Sequence, residues 1–314
     1  MRLLPQREAA RAPAAEADEL SAPFADRLAA LTEERRSQVC LGLDPDPAGL
    51  PSDSVPDADG EAPAERAATA VVRRCRALIE RAGPACVAVK PQLACFERLG
   101  APGWRALEEV CAAAREAGLL VVADGKRGDV PVTARAYGQA LVGETPTPWG
   151  PVSGLGADAF TANPLFGEDA VDALVEAARD AGAGVFLLVR TSNPGAAAIQ
   201  DSALEGRPLH ERLAELVAER ASLLSGESGL SGMGAVVGAT APQHLGRLRE
   251  LMPDSIFLMP GVGAQGGRPE ELGPALAPGR PASLLVAAAR GIAGADDPGE
   301  AAERLRDTLW RLAA

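Results

Sequence analysis

Leu119–Val130 reads LLVVADGKRGDV, an apolar run that ends abruptly in Asp124, Gly125, Lys126, Arg127, Gly128 and Asp129. A run without polar alternation suits a strand buried on both faces, and such strands belong to parallel sheets sheathed by helices. In an extended chain residues two apart share a face, so Asp124 and Lys126 project together and Asp129 follows in the next turn. Two carboxylates and an ammonium then share one small volume. That pattern fits an ordinary strand-end ion pair beside a glycine loop, and it fits a charge-tuned reactive site equally well.

The lysines weigh toward chemistry. Lys90 and Lys126 are the two lysines among 31 basic residues, and each closes an apolar, strand-like run. An ammonium is a compact charge that can release a proton near neutral pH when its surroundings are tuned, whereas a guanidinium cannot.

Working outward, seven more runs resemble the first: QVCLGLD, ACVAVKP, ADAFTANP, GVFLLVRTS, MGAVVGAT, IFLMPGVG and SLLVAAARG. Between them, segments such as 64–82, 104–117, 168–181 and 242–251 have the composition and length of helices. Eight strand–helix units predict an α/β fold, a (β/α)8 TIM barrel, in preference to a doubly wound sheet, because no G-x-G-x-x-G turn follows the first strand. A barrel directs the polar residues that close its strands toward one mouth. Those residues are Asp44, Lys90, Asp124, Lys126, Asp129, Asn163, Ser192, Asn193, Thr240, Gln265 and Arg290. Residues 1–21 read as a tail, and 22–314 as one barrel domain with an acidic, turn-rich insert at 51–63.

Composition narrows the classes. The formal net charge of −12 argues against an extended nucleic-acid surface and leaves room for a small anion held by a few arginines and backbone amides. The five cysteines (Cys40, Cys75, Cys86, Cys95, Cys111) lack paired metal-ligand spacing and read as structural thiols. No signal-peptide core or membrane-length apolar stretch occurs, which predicts a soluble cytoplasmic protein. His210 and His244 have no partner pattern and read as surface or packing residues, with no metal expected.

Two loops remain. PGVGAQGG (Pro260–Gly267) would let backbone amides approach an anion, and Arg290 in AARGI ends the last strand beside it. Loops after the last two barrel strands often form a phosphate site. TSNPG (Thr191–Gly195) offers a hydroxyl and amides to a polar ring, or is a plain turn.

Taken in order, LGLDPD, VAVKPQ, ADGKRGDV, FTANPLFG, LLVRTSNPGA, PGVGAQGG and AARGI resemble the orotidine 5′-phosphate decarboxylase family, in particular its longer bacterial subgroup. The resemblance runs from about Phe24 to near the C-terminus. It implies conversion of orotidine 5′-monophosphate to uridine 5′-monophosphate and carbon dioxide in pyrimidine biosynthesis, without a cofactor. It assigns Lys90, Asp124, Lys126 and Asp129 to an alternating charge network, with Lys126 as proton donor. Asp129 and Thr133 would reach into the partner subunit's site, so the enzyme would be a homodimer. Asp44 would hold ribose hydroxyls with Lys90, Ser192 would contact the pyrimidine, and Gln265 and Arg290 would bind the 5′-phosphate, aided by amides near Gly266 and Gly291. The glycine-rich stretch GAQGGRPEELGP would close over the ligand.

Three other readings compete. A related barrel decarboxylase of sugar-phosphate keto acids would use magnesium on the Asp-x-Lys-x-x-Asp acids. A Schiff-base aldolase would use Lys90 or Lys126 with a lowered pKa, although flanking Asp124 and Asp129 should keep Lys126 protonated. A non-catalytic phosphoribosyl-binding barrel would have no use for a lysine between two carboxylates.

Overall fold

Each of the eight apolar runs becomes a strand in the computed structural model, which describes residues 22–50 and 62–313. The tail at 1–21 and residues 51–61 of the acidic insert lie outside the described residues. The strands are β1 (Val39–Leu43), β2 (Ala88–Pro91), β3 (Leu120–Arg127), β4 (Ala159–Ala162), β5 (Gly184–Arg190), β6 (Ser231–Val237), β7 (Ser255–Pro260) and β8 (Leu284–Ala288). Each pairs in parallel with its neighbours in chain order, and β8 pairs with β1 to close the barrel. The expected TIM barrel is therefore the observed fold.

Alternation along the strands divides the core in two. One set of side chains, including Cys40, Ala88, Val122, Ala159, Phe186, Val236, Ile256 and Leu285, fills the barrel interior. The opposite set packs outward under the helices. The main helices are α1 (Phe24–Arg35), which packs with the interior set, and α2 (Pro63–Ala82), α3 (Ala101–Glu116), α4 (Pro131–Leu141), α5 (Glu168–Asp180), α6 (Leu209–Arg220), α7 (Leu245–Leu251) and α8 (Pro298–Ala313) on the outside. In α2 the buried residues Ala68, Val71, Val72, Cys75, Leu78, Ile79 and Ala82 recur at helical spacing and form its core-facing stripe. The segment 242–251, expected to be one helix, is split into a 3-10 turn (Pro242–His244) and α7.

The floor of the barrel is plugged by α1, which precedes the first strand. Phe24 meets Phe186 edge-on, with ring centroids 5.9 Å apart and planes at 87°. Gly184 makes this possible, because a Cβ there would stand 2.5 Å from Phe24 Cδ1. Cys40, Cys75, Cys86 and Cys111 are buried, Cys95 is half-buried, and all five are free thiols. Burial pushes Cys40 up to about 12, which leaves it a protonated packing residue. No helix among the described residues is long and apolar enough to cross a membrane.

Below β7, the buried Arg249 guanidinium stitches chain segments together. Its Nε donates to Ala275 O at 2.8 Å, Nη1 to Met252 O and Ser255 O at 2.8 Å each, and Nη2 to Ser283 O at 3.1 Å. Its carbon Cζ lies 3.7 Å from the centre of the Phe257 ring. Only arginine offers five donors in a fixed fork. Arg249→Met should keep the volume but remove the guanidinium donors from these carbonyls, lowering the unfolding free energy by about 3 kcal/mol in urea titration.

Candidate active site

The mouth of the barrel is built around one carboxylate. Asp124 is buried at the C-terminal part of β3 and accepts hydrogen bonds on both oxygens. Lys126 Nζ at 2.6 Å and Thr161 Oγ1 at 2.8 Å donate to Oδ1; Lys90 Nζ at 2.5 Å and Gln92 Nε2 at 3.1 Å donate to Oδ2. Three neighbouring chain segments supply the donors: the end of β2, β3 itself and β4. Gln92 reaches Asp124 because β2 continues past Pro91 into a bridge with it.

Burial pushes the Asp124 carboxyl up, but the charges of Lys90 and Lys126 and their hydrogen bonds outweigh it, and the pKa falls below the ordinary carboxylate value. For Lys90, burial pulls downward while Asp124 and Asp44 pull upward more strongly, so its pKa lies above the usual lysine value. Lys90 is nearly enclosed, whereas 42% of the Lys126 side-chain surface is open to the mouth. The more accessible ammonium faces the space a ligand would fill.

Asp124 and Lys126 do converge, though not on a regular strand. The register between β3 and β4 shifts between Ala123 and Arg127, and Lys126 has φ +48°. A left-handed conformation costs a non-glycine residue about 1–2 kcal/mol. Lys126 N–H finds its partner in Thr161 Oγ1 at 2.9 Å, within the same cluster.

A cavity of about 490 Å³ opens above this cluster. Asp44, Lys90, Asp124, Lys126, Ser192, Gln265, Arg290 and Gly291 all line it. Asn193, another strand-end residue, lines it as well. Three residues to which the resemblance gives a role do not line it. Asp129 lies past the strand end, where it accepts from Val130 N at 2.7 Å; Thr133 is exposed on the first turn of α4; Gly266 sits at φ +93° in the loop after β7. The expectation that Asp129 shares the volume of Asp124 and Lys126 is therefore not met within one chain. The strand ends at Arg127, and Asp129, two residues beyond it, is not on the cavity wall. Asn163 accepts from Leu165 N at 3.1 Å, and Thr240 Oγ1 donates to Ser192 O at 2.9 Å, so both support the rim without lining the cavity.

Ser192 is set by its neighbours. Gly238 and Gly261 leave room for it: a Cβ on either would stand within 2.9 Å of a Ser192 carbon. Gly261 also adopts φ +103°, which glycine alone takes without strain. Ser192 Oγ donates to Gln265 Oε1 at 2.8 Å, joining the loop after β5 to the loop after β7. Below it, Arg190 Nη1 donates to Thr191 O at 2.6 Å, and Thr191 N donates to Gln200 Oε1 at 2.8 Å. Arg190 grips both oxygens of Asp201, at 2.7 and 3.0 Å. His210 is buried with Nδ1 2.9 Å from Gln200 O, and its ring lies 4.6 Å from that of His244. The ligand atoms of Asp201, His210 and His244 lie within 4.8 Å of one another, but the Arg190 guanidinium already occupies both oxygens of the carboxylate. Thr161, Gln92 and Thr191 line the cavity although they were not among the expected residues. For two of them a signal existed, since Gln92 stands two residues after Lys90 and Thr161 two before Asn163.

A closed (β/α)8 barrel holding a carboxylate between two ammonium groups at its C-terminal mouth defines a barrel enzyme. Residues 37–305 match the model of the Orotidine 5′-phosphate decarboxylase / HUMPS family, and the chain belongs to that family. It is 40% identical over 252 residues to an orotidine 5′-phosphate decarboxylase of Rhodopirellula baltica, a match covering 79% of this chain and 81% of the relative. It is likewise 40% identical over 299 residues to one of Deinococcus radiodurans, covering 91% and 96%. The solved structure of the Leishmania donovani OMP decarboxylase superposes with a TM-score of 0.70 at 34% identity, covering 93% of this chain and 99% of that one. These relatives place the chain with the decarboxylases of the family.

The depressed Asp124 pKa has a measurable consequence. A carboxyl whose folded pKa lies below its unfolded value of 3.8 contributes stability above that pH, lost as pH falls toward the folded value. The thermal midpoint of the wild type should fall on acidification below about pH 4, and Asp124→Asn should remove part of that slope in circular dichroism melts.

Proposed function

We propose that the enzyme converts orotidine 5′-monophosphate to uridine 5′-monophosphate and carbon dioxide without a cofactor, as a step of pyrimidine biosynthesis in the cytoplasm. The observation that carries this reading is the Asp124 carboxylate held at 2.5 and 2.6 Å between the Lys90 and Lys126 ammonium groups, in a cavity that Ser192, Gln265 and Arg290 also line. Gln265 and Arg290, with the amides near Gly266 and Gly291, take the 5′-phosphate. Asp44 and Lys90 hold the ribose hydroxyls, and Ser192 meets the pyrimidine.

The substrate carboxylate then lies against Asp124, where like charges disfavour the bound ground state. The bond from C6 to the carboxylate breaks, carbon dioxide leaves, and the electron pair stays on C6. Lys126 Nζ stabilises that charge and transfers a proton to C6, which completes the product. Binding of the remote phosphate orients the ring for this step. Lys126→Ala should reduce turnover, read as the ultraviolet absorbance change of orotidine 5′-monophosphate in the presence of a chelator, by at least about 10³-fold. Undiminished activity in that variant would reject the proton-donor assignment, and a chelator that silenced the wild type would reject the cofactor-free mechanism.

The active form in this reading is a homodimer in which Asp129 and Thr133 complete the partner subunit's site. Its support is their position outside the cavity of their own chain, next to Val130 and Val132, which are 55% and 84% exposed. Apolar residues left so open at the start of α4 suit a surface covered by another chain. Mixing Lys126→Ala with Asp129→Ala subunits should restore about a quarter of wild-type activity, because half the dimers are mixed and each of those carries one intact site. No recovery on mixing would place Asp129 in its own subunit's site or outside catalysis.

A further inference from the structure

Thr161 stands on β4 in the inward-facing register of Ala159, 1% exposed yet on the cavity wall. Its hydroxyl is committed in two directions. The proton goes to Asp124 Oδ1 at 2.8 Å, and the oxygen accepts the backbone N–H of Lys126 at 2.9 Å. One side chain thus fixes both halves of the Asp-Gly-Lys motif, the carboxylate by its oxygen and the lysine by its main chain. The second contact matters because Lys126 sits at φ +48°, a conformation that local preference alone would not hold. Lys126 Nζ shares Oδ1 with Thr161, so the carboxylate orientation and the ammonium position are set together.

We infer that Thr161 is a positioning residue of the decarboxylation, holding Asp124 and the left-handed Lys126 in the geometry that aims the ammonium at the reacting carbon. This rests on the proposed role of Lys126. Thr161 touches neither phosphate nor ribose ligands, so its contribution falls on the chemical step. A hydroxyl is required and a methyl is not: valine has the same shape but can neither donate to Asp124 nor accept from Lys126.

The test is a series of Thr161→Val, Thr161→Ala and Thr161→Ser, each measured for kcat, KM, melting temperature and affinity for uridine 5′-monophosphate by calorimetry. Thr161→Val and Thr161→Ala should lower kcat about 10- to 100-fold, as expected when a reacting group is misplaced by a fraction of an ångström to an ångström. KM and product affinity should stay within about twofold, and Thr161→Ser should recover kcat to within about threefold of wild type. If valine destabilises the fold, alanine and serine still separate hydroxyl from bulk. Wild-type kcat in Thr161→Val or Thr161→Ala, an equal loss in Thr161→Ser, or a change confined to KM would each overturn the assignment. Failure of the underlying reading is separate, since it would appear as full activity in Lys126→Ala whatever the Thr161 series gives.

Discussion

A buried carboxylate is tolerable only when its charge is answered on every side, and Asp124 shows how completely the fold is arranged to do that. Moving an isolated carboxylate from water into the mouth of a barrel would cost several kcal/mol even after relaxation. Here two ammonium groups, an amide and a hydroxyl converge on its two oxygens. The result is a carboxylate that stays charged well below neutral pH and a Lys90 that stays protonated above its ordinary range. Remove one donor and the others face an imbalance, which is why this cluster is both a stability element and a chemical device.

The barrel makes the convergence possible. Parallel strands in chain order bring the ends of β2, β3 and β4 side by side, so residues some 35 positions apart meet within hydrogen-bonding distance. The other half of the mouth obeys a different rule. After β5, β6 and β7 the chain is shaped by glycines that let loops approach Ser192, and by the Arg190–Asp201 pair that anchors the backbone of Thr191. A protein of net charge −12 nevertheless sets Lys90, Lys126 and Arg290 on the walls of a single cavity, beside Asp44 and Asp124.

Much of this was legible in the chain. Eight unalternated apolar runs announced eight strands, because residues buried on both faces leave no polar register. The scarcity of lysine pointed to Lys90 and Lys126, and the strand-end rule gathered Asp44, Ser192, Gln265 and Arg290 with them. Other features were not legible. The spacing of Gln92 from Lys90 and of Thr161 from Asn163 hints at the mouth, but their shared contact with Asp124 exists only once β2 and β4 flank β3. Asp129, two residues past the end of β3, does not line the cavity of its own chain, and sequence spacing gave no sign of it. The pairing of Arg190 with Asp201 and the approach of His210 to His244 depend on how the segment after β5 folds back, which no local pattern encodes.

Sequence by itself determined the period of the strands, the count of units and the identity of the charged groups, since these follow from side-chain alternation and from the chemistry of lysine and carboxylate. Tertiary structure decided which groups touch. Lys126 adopts φ +48° and still meets Asp124 because Thr161, 35 residues away, holds its N–H. Hydrogen bonds have lengths of about 3 Å and definite directions. A linear order can place donors at the ends of neighbouring strands, but only the closed barrel brings them to those distances.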